Sequence, residues 1–361
     1  MISKYQQITE WIWDRLASGE LSVGDKLESE NQISTKFGIS RQTVRRALSV
    51  LIQQGILESR QGSGTFVSDH PILPRKRKTD LSKTITVIST YIDGYIFLKI
   101  LQTMAETLEE YGYNVKIEFT NNRREEEKRI LESLLKEEEH GPLIVEPVMS
   151  GLPNLNLRYY RQLQAEGVPI LFFHTYYPDV DIPHVSINDV EAGRKATEYL
   201  ISKGHRKIGG IFKLDDGQGI RRYQGYLEAM ENAMLEADER KVCWIDSTER
   251  EELLEENSRI WKRLKDCTAC VCYNDQVASS ITESAGALGI HIPEELSIVS
   301  IDNSEIARLN SVPLTSVEHP KGALGKKVAE HMLKMIEDPE FGATYEYPVF
   351  VEERDSVIGI K

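Results

Sequence analysis

Between positions 84 and 301 short β-branched runs alternate with amphipathic helical runs, and this alternation decides what most of the chain can be. Strands are expected at 84–90, 114–119, 143–145 and 168–173, then again at 207–212, 242–245, 269–273 and 297–301. Helices are expected at 95–111, 123–138 and 159–166, then at 190–203, 221–235, 249–264 and 276–288. Such βα alternation produces parallel sheets with helices on both faces. The pattern runs twice, with residues 185–189 between the runs. Two doubly wound subdomains in tandem follow, with lobes at about 84–185 and 186–314 and the chain crossing back near 315. A chain of 361 residues has room for these and a further small domain.

Ligands of such sheets lie beyond the carboxyl ends of the strands, and two lobes facing each other make a hinged cleft. Tyr91, Asp93 and Phe97 follow the first expected strand, Glu146 the third, and His174 and Tyr176 the fourth. In the second run the corresponding residues are Lys213 and Asp215, Arg222 at the next helix start, Asn274, Asp275, Asp302 and Asn303. Carboxylates, amides and one arginine beside aromatic rings suit the hydroxyls of a sugar. Each residue alone reads equally well as a cap or a turn. Tyr91, Phe97 and Tyr176 are either lobe packing or sugar-stacking faces. An enzyme would need a catalytic pair here, and His174 with Glu146 is the one candidate. The sequence has neither a glycine-rich phosphate loop nor metal-ligand spacing. Cys267, Cys270 and Cys272 sit in an alternating strand context without a nearby histidine, and with Cys243 they read as buried reduced thiols.

Ahead of this region, residues 25–67 have a different grammar. Ser29 is placed to cap a short helix ending at Phe37, and Gly38-Ile39 to turn the chain. Ser40 is placed to cap a second helix running to about Gln53. There Val44, Ala47, Leu48 and Leu51 form one apolar stripe. Gln42, Arg45 and Arg46 fall on the opposite face, flanked by Arg41 and Thr43. In a helix-turn-helix the N-terminal part of such a helix enters the DNA major groove, where Arg pairs with guanine and Gln with adenine. Two short strands then flank Gln61, Gly62, Ser63 and Gly64, a hairpin tip suited to a minor groove or a phosphate strand.

The net charge of −13 looks wrong for a DNA reader until it is divided. Residues 1–70 carry 8 basic and 8 acidic side chains, and residues 71–83 carry 5 basic and 1 acidic. The remaining 31 basic and 48 acidic residues place the excess of 17 negative charges in the large region. Phosphate attraction is thus left to the head and to the run Arg75-Lys76-Arg77-Lys78, within a linker at 70–83. No run of about 18 apolar residues predicts a membrane span, and the amphipathic N-terminus lacks a signal-peptide core. A cytoplasmic chain without membrane partners is expected.

The head resembles the winged-helix domain of the GntR family through Gly24-Asp25-Lys26-Leu27, Ser29-Glu30, Phe37-Gly38, Ser40-Arg41, Thr43-Val44-Arg45, Ala47-Leu48, Leu51, Gly55 and Gly62-x-Gly64-Thr65-Phe66-Val67. Glu28 departs from it, since the family usually has proline there. The resemblance covers 1–69 as a domain. It implies double-stranded operator DNA as partner, contacted by Lys4, Glu30, Ser40, Arg41, Gln42, Thr43, Arg45 and Arg46 and by Gln61, Gly62, Ser63, Gly64 and Thr65. Glu30 reads alternatively as a charge on its helix dipole.

Residues 84–361 resemble the effector domain of the LacI/GalR family, itself similar to periplasmic sugar-binding proteins. The matching text includes Val185-x-x-Asn188-Asp189-x-x-x-Gly193, Gly204-His205-Arg206-x-Ile208, Arg222-x-x-Gly225-Tyr226, Tyr273-Asn274-Asp275 and Ile292-Pro293-Glu294-x-Leu296. This implies a homodimer on a palindromic operator and effector contacts from Arg222, Asn274 or Asp275, and Asp302. Local text such as Ile144-Val145-Glu146-Pro147 is similar to Gram-positive repressors that join these two parts, which implies L-arabinose as the effector. Glu146, His174 and Lys213 would then be pentose contacts. Another pentose, a sugar phosphate held by Lys213 and Arg222, or a purine is the alternative.

Overall fold

The computed structural model describes residues 20–53, 56–60, 63–68, 82–91, 95–137, 139–247 and 259–360, with residues 8, 9, 11, 12, 15 and 16 ahead of them. Lys4, Gln61, Gly62, Asp93, most of the 70–83 linker and the first part of the expected helix 249–264 lie outside the described residues. The chain divides into two compact units, one of Met1–Ser82 with Glu137–His140 and Arg158–Val168, the other of the remainder.

In the first unit, α1 is Glu30–Phe37 and α2 is Arg41–Gln53. Ser29 caps α1 in a reciprocal box: its hydroxyl accepts from the Gln32 amide, and its own amide donates to the Gln32 side chain at 2.8 Å. Gly38 closes α1 at φ 61°, a left-handed conformation that glycine adopts without strain. Val44, Ala47, Leu48 and Leu51 are buried with Ile8, Ile12, Ile33 and Leu57 in one core. Strands β1 (Leu57–Arg60) and β2 (Gly64–Val67) pair antiparallel. Lys26 bridges to Phe66, so the chain before α1 widens the ribbon. Glu28 has a use of its own: it accepts two hydrogen bonds from Arg15, each 2.7 Å, tying the N-terminal helical stretch to the entrance of α1.

The first sheet of the large unit holds β3 (Thr84–Ser89), β4 (Asn114–Phe119), β5 (Leu143–Val145), β6 (Ile170–Phe173) and β7 (His184–Ile187). Helices α3 (Phe97–Glu110), α4 (Arg124–Leu134) and α5 (Leu157–Ala165) connect its strands. After α6 (Asp189–Ser202) come β8 (Ile208–Lys213), α7 (Gly217–Asn232), β9 (Val242–Ile245), α8 (Arg259–Leu264), β10 (Ala269–Cys272), α9 (Asp275–Leu288) and β11 (Ser297–Asp302). The chain ends with α10 (Glu305–Leu309), β12 (Thr315–Glu318), α11 (Lys321–Glu337), β13 (Tyr345–Tyr347) and β14 (Val351–Glu352). Among the described residues two six-stranded sheets form, ordered β13-β7-β6-β5-β3-β4 and β14-β12-β11-β10-β8-β9. All pairs in them are parallel except β12 with β14.

Two doubly wound lobes are therefore present, as the alternation predicts. Their limits differ from the expected ones. Residues 184–187 form a strand of the first sheet, so the first crossing lies at Asn188 rather than at 185. The return crossing follows Glu318, after β12 has joined the second sheet, and α11 packs on α3 in the first lobe. A third crossing between β13 and β14, at 348–350, was not anticipated. These late strands are two to four residues long, too short for a periodic signal. Helix α7 starts at Gly217 and not at Arg221, because Gly217 and Gly219 bring its first turn against neighbouring backbone: a Cβ on Gly219 would sit 2.0 Å from the Lys213 oxygen.

Helices α6 and α7 meet through glycine. A Cβ on Gly193 would lie 1.9 Å from the Arg222 oxygen, and one on Gly225 1.9 Å from the Val190 oxygen. Both obstacles are backbone, which cannot rotate aside. We expect Gly225→Ala to spread the helix pair and lower the unfolding free energy by about 1–3 kcal/mol. Urea denaturation followed by circular dichroism measures this, and an unchanged midpoint would contradict the packing argument.

Candidate functional site

In each sheet of the large unit the strand order reverses once, between β3 and β5 and between β8 and β10. A crevice opens at such a switch point, beyond the strand ends. The two crevices face one cavity of ≈ 390 Å³. Thr90, Tyr91, Tyr95, Phe97, Asn122, Glu146 and His174 line it from the first lobe. Lys213, Asp216, Gln218, Arg222, Ser247, Tyr273, Asn274 and Asp302 line it from the second.

Arg222 is the centre of the second-lobe wall. Its side chain is 1% exposed, and each of its three nitrogens makes a hydrogen bond: Nε to Asp189 at 2.9 Å, Nη1 to the Tyr273 carbonyl at 2.7 Å, Nη2 to Asp302 at 3.2 Å. The Tyr273 ring lies 4.9 Å from the guanidinium. Burial opposes the charge, but Asp302 and Asp189 outweigh it and push the Arg222 pKa above its ordinary value. Burial in turn pushes the Asp302 carboxyl up to about 6, against the pull of Arg222. Lys213 donates to Asp216 at 2.9 Å, and Tyr273 donates to the same carboxylate oxygen at 2.8 Å. Burial pulls Lys213 down, yet Asp216 and Asp215 hold it up at about 12. Every cation of the wall is thus matched by a carboxylate.

On the opposite wall Glu146 accepts from the Ser89 hydroxyl and the Thr90 amide through one oxygen, at 2.9 and 2.7 Å. Burial raises its pKa to about 7. His174 is held neutral, its pKa pushed down to about 3 by burial and then by Arg222. Its ring meets Phe97 edge-on at 5.2 Å, and Tyr91 lies 6.5 Å from Phe97. The hydrogen bonds of His174 run to His319 and Gln218, not to Glu146. The two members of the candidate catalytic pair are therefore bonded to separate partners.

Bonds cross from lobe to lobe around the rim. Tyr95 donates to Asp302 at 2.7 Å, Asn122 to Ser247 at 2.9 Å, and the Gly217 amide to Ser150 at 3.0 Å. These bonds tie the two walls across the cleft, with polar groups converging on the space between them.

Several expected residues fall elsewhere. Asp275 does not line the cavity. It lies behind the wall, fully buried, with its carboxylate taken by Ser300, Ser316 and the hydroxyl and amide of Ser304. Asn274 lines the cavity and also caps α9 through the Val277 amide. Tyr176 stacks on His184 at 3.9 Å with Arg221 over its other side, which makes it packing. Asp215 receives the Ser247 amide, while its neighbour Asp216 reaches the cavity. Tyr95, Asn122, Gln218, Ser247 and Tyr273 were not anticipated. Gln218 was hidden because it precedes the expected start of its helix. The four cysteines are free and buried in the second-lobe core.

In the first unit the exposed face of α2 presents Arg41, Gln42, Arg45 and Arg46. Ser40 caps α2 by accepting from the Thr43 amide at 3.2 Å, and its hydroxyl meets that of Thr43 at 2.9 Å. Glu30 grips Arg45 by two bonds of 3.0 and 2.9 Å and lies 3.7 Å from Arg41. Neither expected reading of Glu30 included this clamp, which sets the direction of Arg45 before any partner arrives. Ser63 and Gly64 form the described part of the ribbon tip, Gly64 at φ 118°, and Thr65 follows on β2.

A ligand hydroxyl donating to Glu146 would be held more strongly by the carboxylate than by the neutral acid, so such a contact gives ligand affinity a signed pH dependence. It should be level above about pH 8 and fall as pH drops through 7, where Glu146 takes up a proton, with Asp302 adding to the loss near 6. Calorimetric titration between pH 8 and 5.5 reads this. Glu146→Gln should bind more weakly and lose the upper step, and a variant that kept it would remove Glu146 from the site.

Comparison with known proteins joins the two parts. Residues 4–67 match the family of bacterial regulatory proteins of the gntR type, and residues 197–357 match a periplasmic binding protein-like domain. The chain is 34% identical over 339 residues to an arabinose metabolism transcriptional repressor of Halalkalibacterium halodurans, covering 93% of this chain and 90% of that protein. It is 36% identical to the Geobacillus stearothermophilus protein of that name, covering 93% and 92%. Among solved structures, a CelR–cellobiose complex superposes with a TM-score of 0.67 at 20% identity, covering 91% of this chain and all of that one. A LacI regulator of Alkaliphilus metalliredigens QYMF complexed with D-xylulofuranose gives 0.64 at 24% identity, covering 77% and 100%. With a gntR-type reader, a polar cavity between two doubly wound lobes, and such identity along nearly its full length, the chain belongs to the family of arabinose metabolism transcriptional repressors, sugar-responsive DNA-binding regulators rather than enzymes.

Proposed function

We propose that this repressor binds L-arabinose in the cavity between its lobes and, as a homodimer on a palindromic operator, lets go of DNA when the sugar is bound. The observation that carries the ligand assignment is the matched charge of the cavity. Lys213 is countered by Asp216, and Arg222 by Asp189 and Asp302. Glu146 adds a titratable carboxyl and no cation. A sugar phosphate would need an uncommitted cation, and both candidates are committed. A neutral polyol needs what the walls offer, namely acceptors at Glu146 and Asp302 and donors or acceptors at Asn122, Gln218, Ser247 and Asn274. The names of the relatives point to the same pentose.

Tyr91, Phe97, Glu146, His174, Lys213, Arg222, Asn274 and Asp302 are the proposed sugar contacts, now joined by Tyr95, Asn122, Gln218 and Ser247. Sugar bridging the walls would favour the closed state that Tyr95–Asp302 and Asn122–Ser247 already stabilise. Moving a population from 1:99 to 99:1 needs a preference of about 10⁴-fold, or roughly 5.5 kcal/mol. On the DNA side, Arg41, Gln42, Thr43, Arg45 and Arg46 would read bases and phosphates, with Ser40 at the helix N-terminus and Ser63, Gly64 and Thr65 at the ribbon. Lys4, Gln61 and Gly62 belong to the same proposal by sequence alone.

Titrating L-arabinose into the protein–operator complex, beside D-xylose, D-ribose and arabinose 5-phosphate, tests the ligand. L-arabinose should lower operator affinity most and the phosphate ester least. Release by the ester alone would overturn the neutral-sugar reading, and release by no pentose the whole assignment. For the reader, Arg45→Ala should weaken operator binding by about 1–3 kcal/mol and relax selectivity at one base pair. Gel shifts with a set of operator variants would show it.

A further inference from the structure

Two consecutive residues at the carboxyl edge of the second sheet adopt a backbone that side chains rarely take. Asp302, the last residue of β11, has φ 107°, and Asn303 after it has φ 43°. Left-handed conformations of this kind persist in residues other than glycine where the surroundings over-determine them. The surroundings here centre on Asp275, which is fully buried and opens α9 behind the cavity wall.

Four donors reach Asp275 from three segments. Ser300 on β11 and Ser316 on β12 stand directly opposite each other in the sheet, and both hydroxyls donate to Oδ1, at 2.5 and 2.6 Å. The amide and the hydroxyl of Ser304 donate to Oδ2, at 2.6 and 2.8 Å. Ser316 carries the hold one step further, because its oxygen accepts from the Asn303 amide at 2.9 Å. The amides of residues 303 and 304 are thus both tied to one carboxylate, the first through Ser316 and the second directly. An amide bonded to a fixed acceptor sets the rotation of its own peptide, so the backbone on both sides of Asn303 is set. The Asp302 side chain is then left facing Arg222 at 3.2 Å and Tyr95 at 2.7 Å.

We infer that Asp275 is a positioning residue of the sugar site: through Ser304 and Ser316 it holds the 302–304 turn in its left-handed form and so keeps the Asp302 carboxylate at the cavity. Asp275 and Asp302 are then one device, the first aiming the second. The ligand of this device rests on the sugar reading of the cavity, but the turn it fixes stands without one. Holding the turn needs an acceptor for the Ser304 amide and partners for the two strand hydroxyls. An asparagine supplies these, since its oxygen can take the Ser304 pair and its nitrogen can donate to Ser300 and Ser316, whereas alanine supplies none.

The test is a double-mutant cycle on the full-length protein, read by calorimetry with L-arabinose, beside crystal structures of the sugar-free proteins. Asp275→Ala should weaken L-arabinose about tenfold, as for the loss of one hydrogen bond. In an Asp302→Ala background, where Arg222 keeps Asp189, it should cost nothing more. Asp275→Asn should restore most of the affinity. In sugar-free Asp275→Ala, residues 302 and 303 should leave the left-handed region. If Asp275→Ala does not fold, Ser316→Ala, which cuts the Asn303 link and leaves Ser304 in place, goes through the same cycle and the same crystal structure with an expected loss of about threefold. A loss that adds to that of Asp302→Ala, as from a direct sugar contact or a general loosening of the lobe, would overturn the inference, and so would an unmoved turn. A turn that moves in a protein whose wild type binds no pentose would uphold the positioning and fail the sugar assignment instead.

Discussion

The large unit is organised around one buried charge. Arg222 has been taken out of water, and a guanidinium there survives only if each donor finds a partner. Its partners come from places the chain could not otherwise keep together: Asp189 opens α6 just after the first lobe crossing, Tyr273 ends β10, and Asp302 ends β11. Removing one partner of such a group leaves an uncompensated charge and typically costs 3–5 kcal/mol. The same carboxylate that satisfies Arg222 accepts from Tyr95 of the opposite lobe. Holding the second lobe together and closing the cleft are in this respect the same interaction.

That economy explains the charge logic of the cavity. Burial alone would strip its carboxyls of charge, and it does raise Glu146 and Asp302. The matched pairs keep the walls polar without leaving a net field that an anion could exploit. A neutral polyhydroxylated ligand meets little electrostatic cost there and many directed bonds. The acidic excess of the large region and the basic run of the linker divide the labour in the same way, leaving phosphate attraction to the small unit.

Much of this was legible beforehand. The stripe of Val44, Ala47, Leu48 and Leu51, the capping serines and the strand–helix alternation are local patterns with local causes, and the elements form where those patterns stand. Strand-end positions also flagged Glu146, His174, Lys213, Arg222, Asn274 and Asp302, because a parallel sheet offers its carboxyl edge to ligands whatever its sequence. The reading failed where the deciding neighbour was distant. Asp275 looks like Asp302 in sequence, yet Ser300, Ser304 and Ser316 use up its oxygens. Tyr95 and Gln218 look like ordinary helix-start residues until the facing lobe supplies Asp302 and His174.

The sequence by itself determined which segments become helix or strand, that they wind into two parallel-sheet lobes behind a winged-helix reader, and which residues stand at strand ends. Those follow from periodicity, capping and βα handedness, all of which act over a few residues or one crossover. Only the tertiary structure decided which of two adjacent aspartates reaches the cavity, that Glu30 clamps Arg45, where the lobes exchange strands, and that His319 stands behind His174. Each of these depends on which polar atoms are left unpaired once water is excluded, and that is settled between residues far apart in the chain.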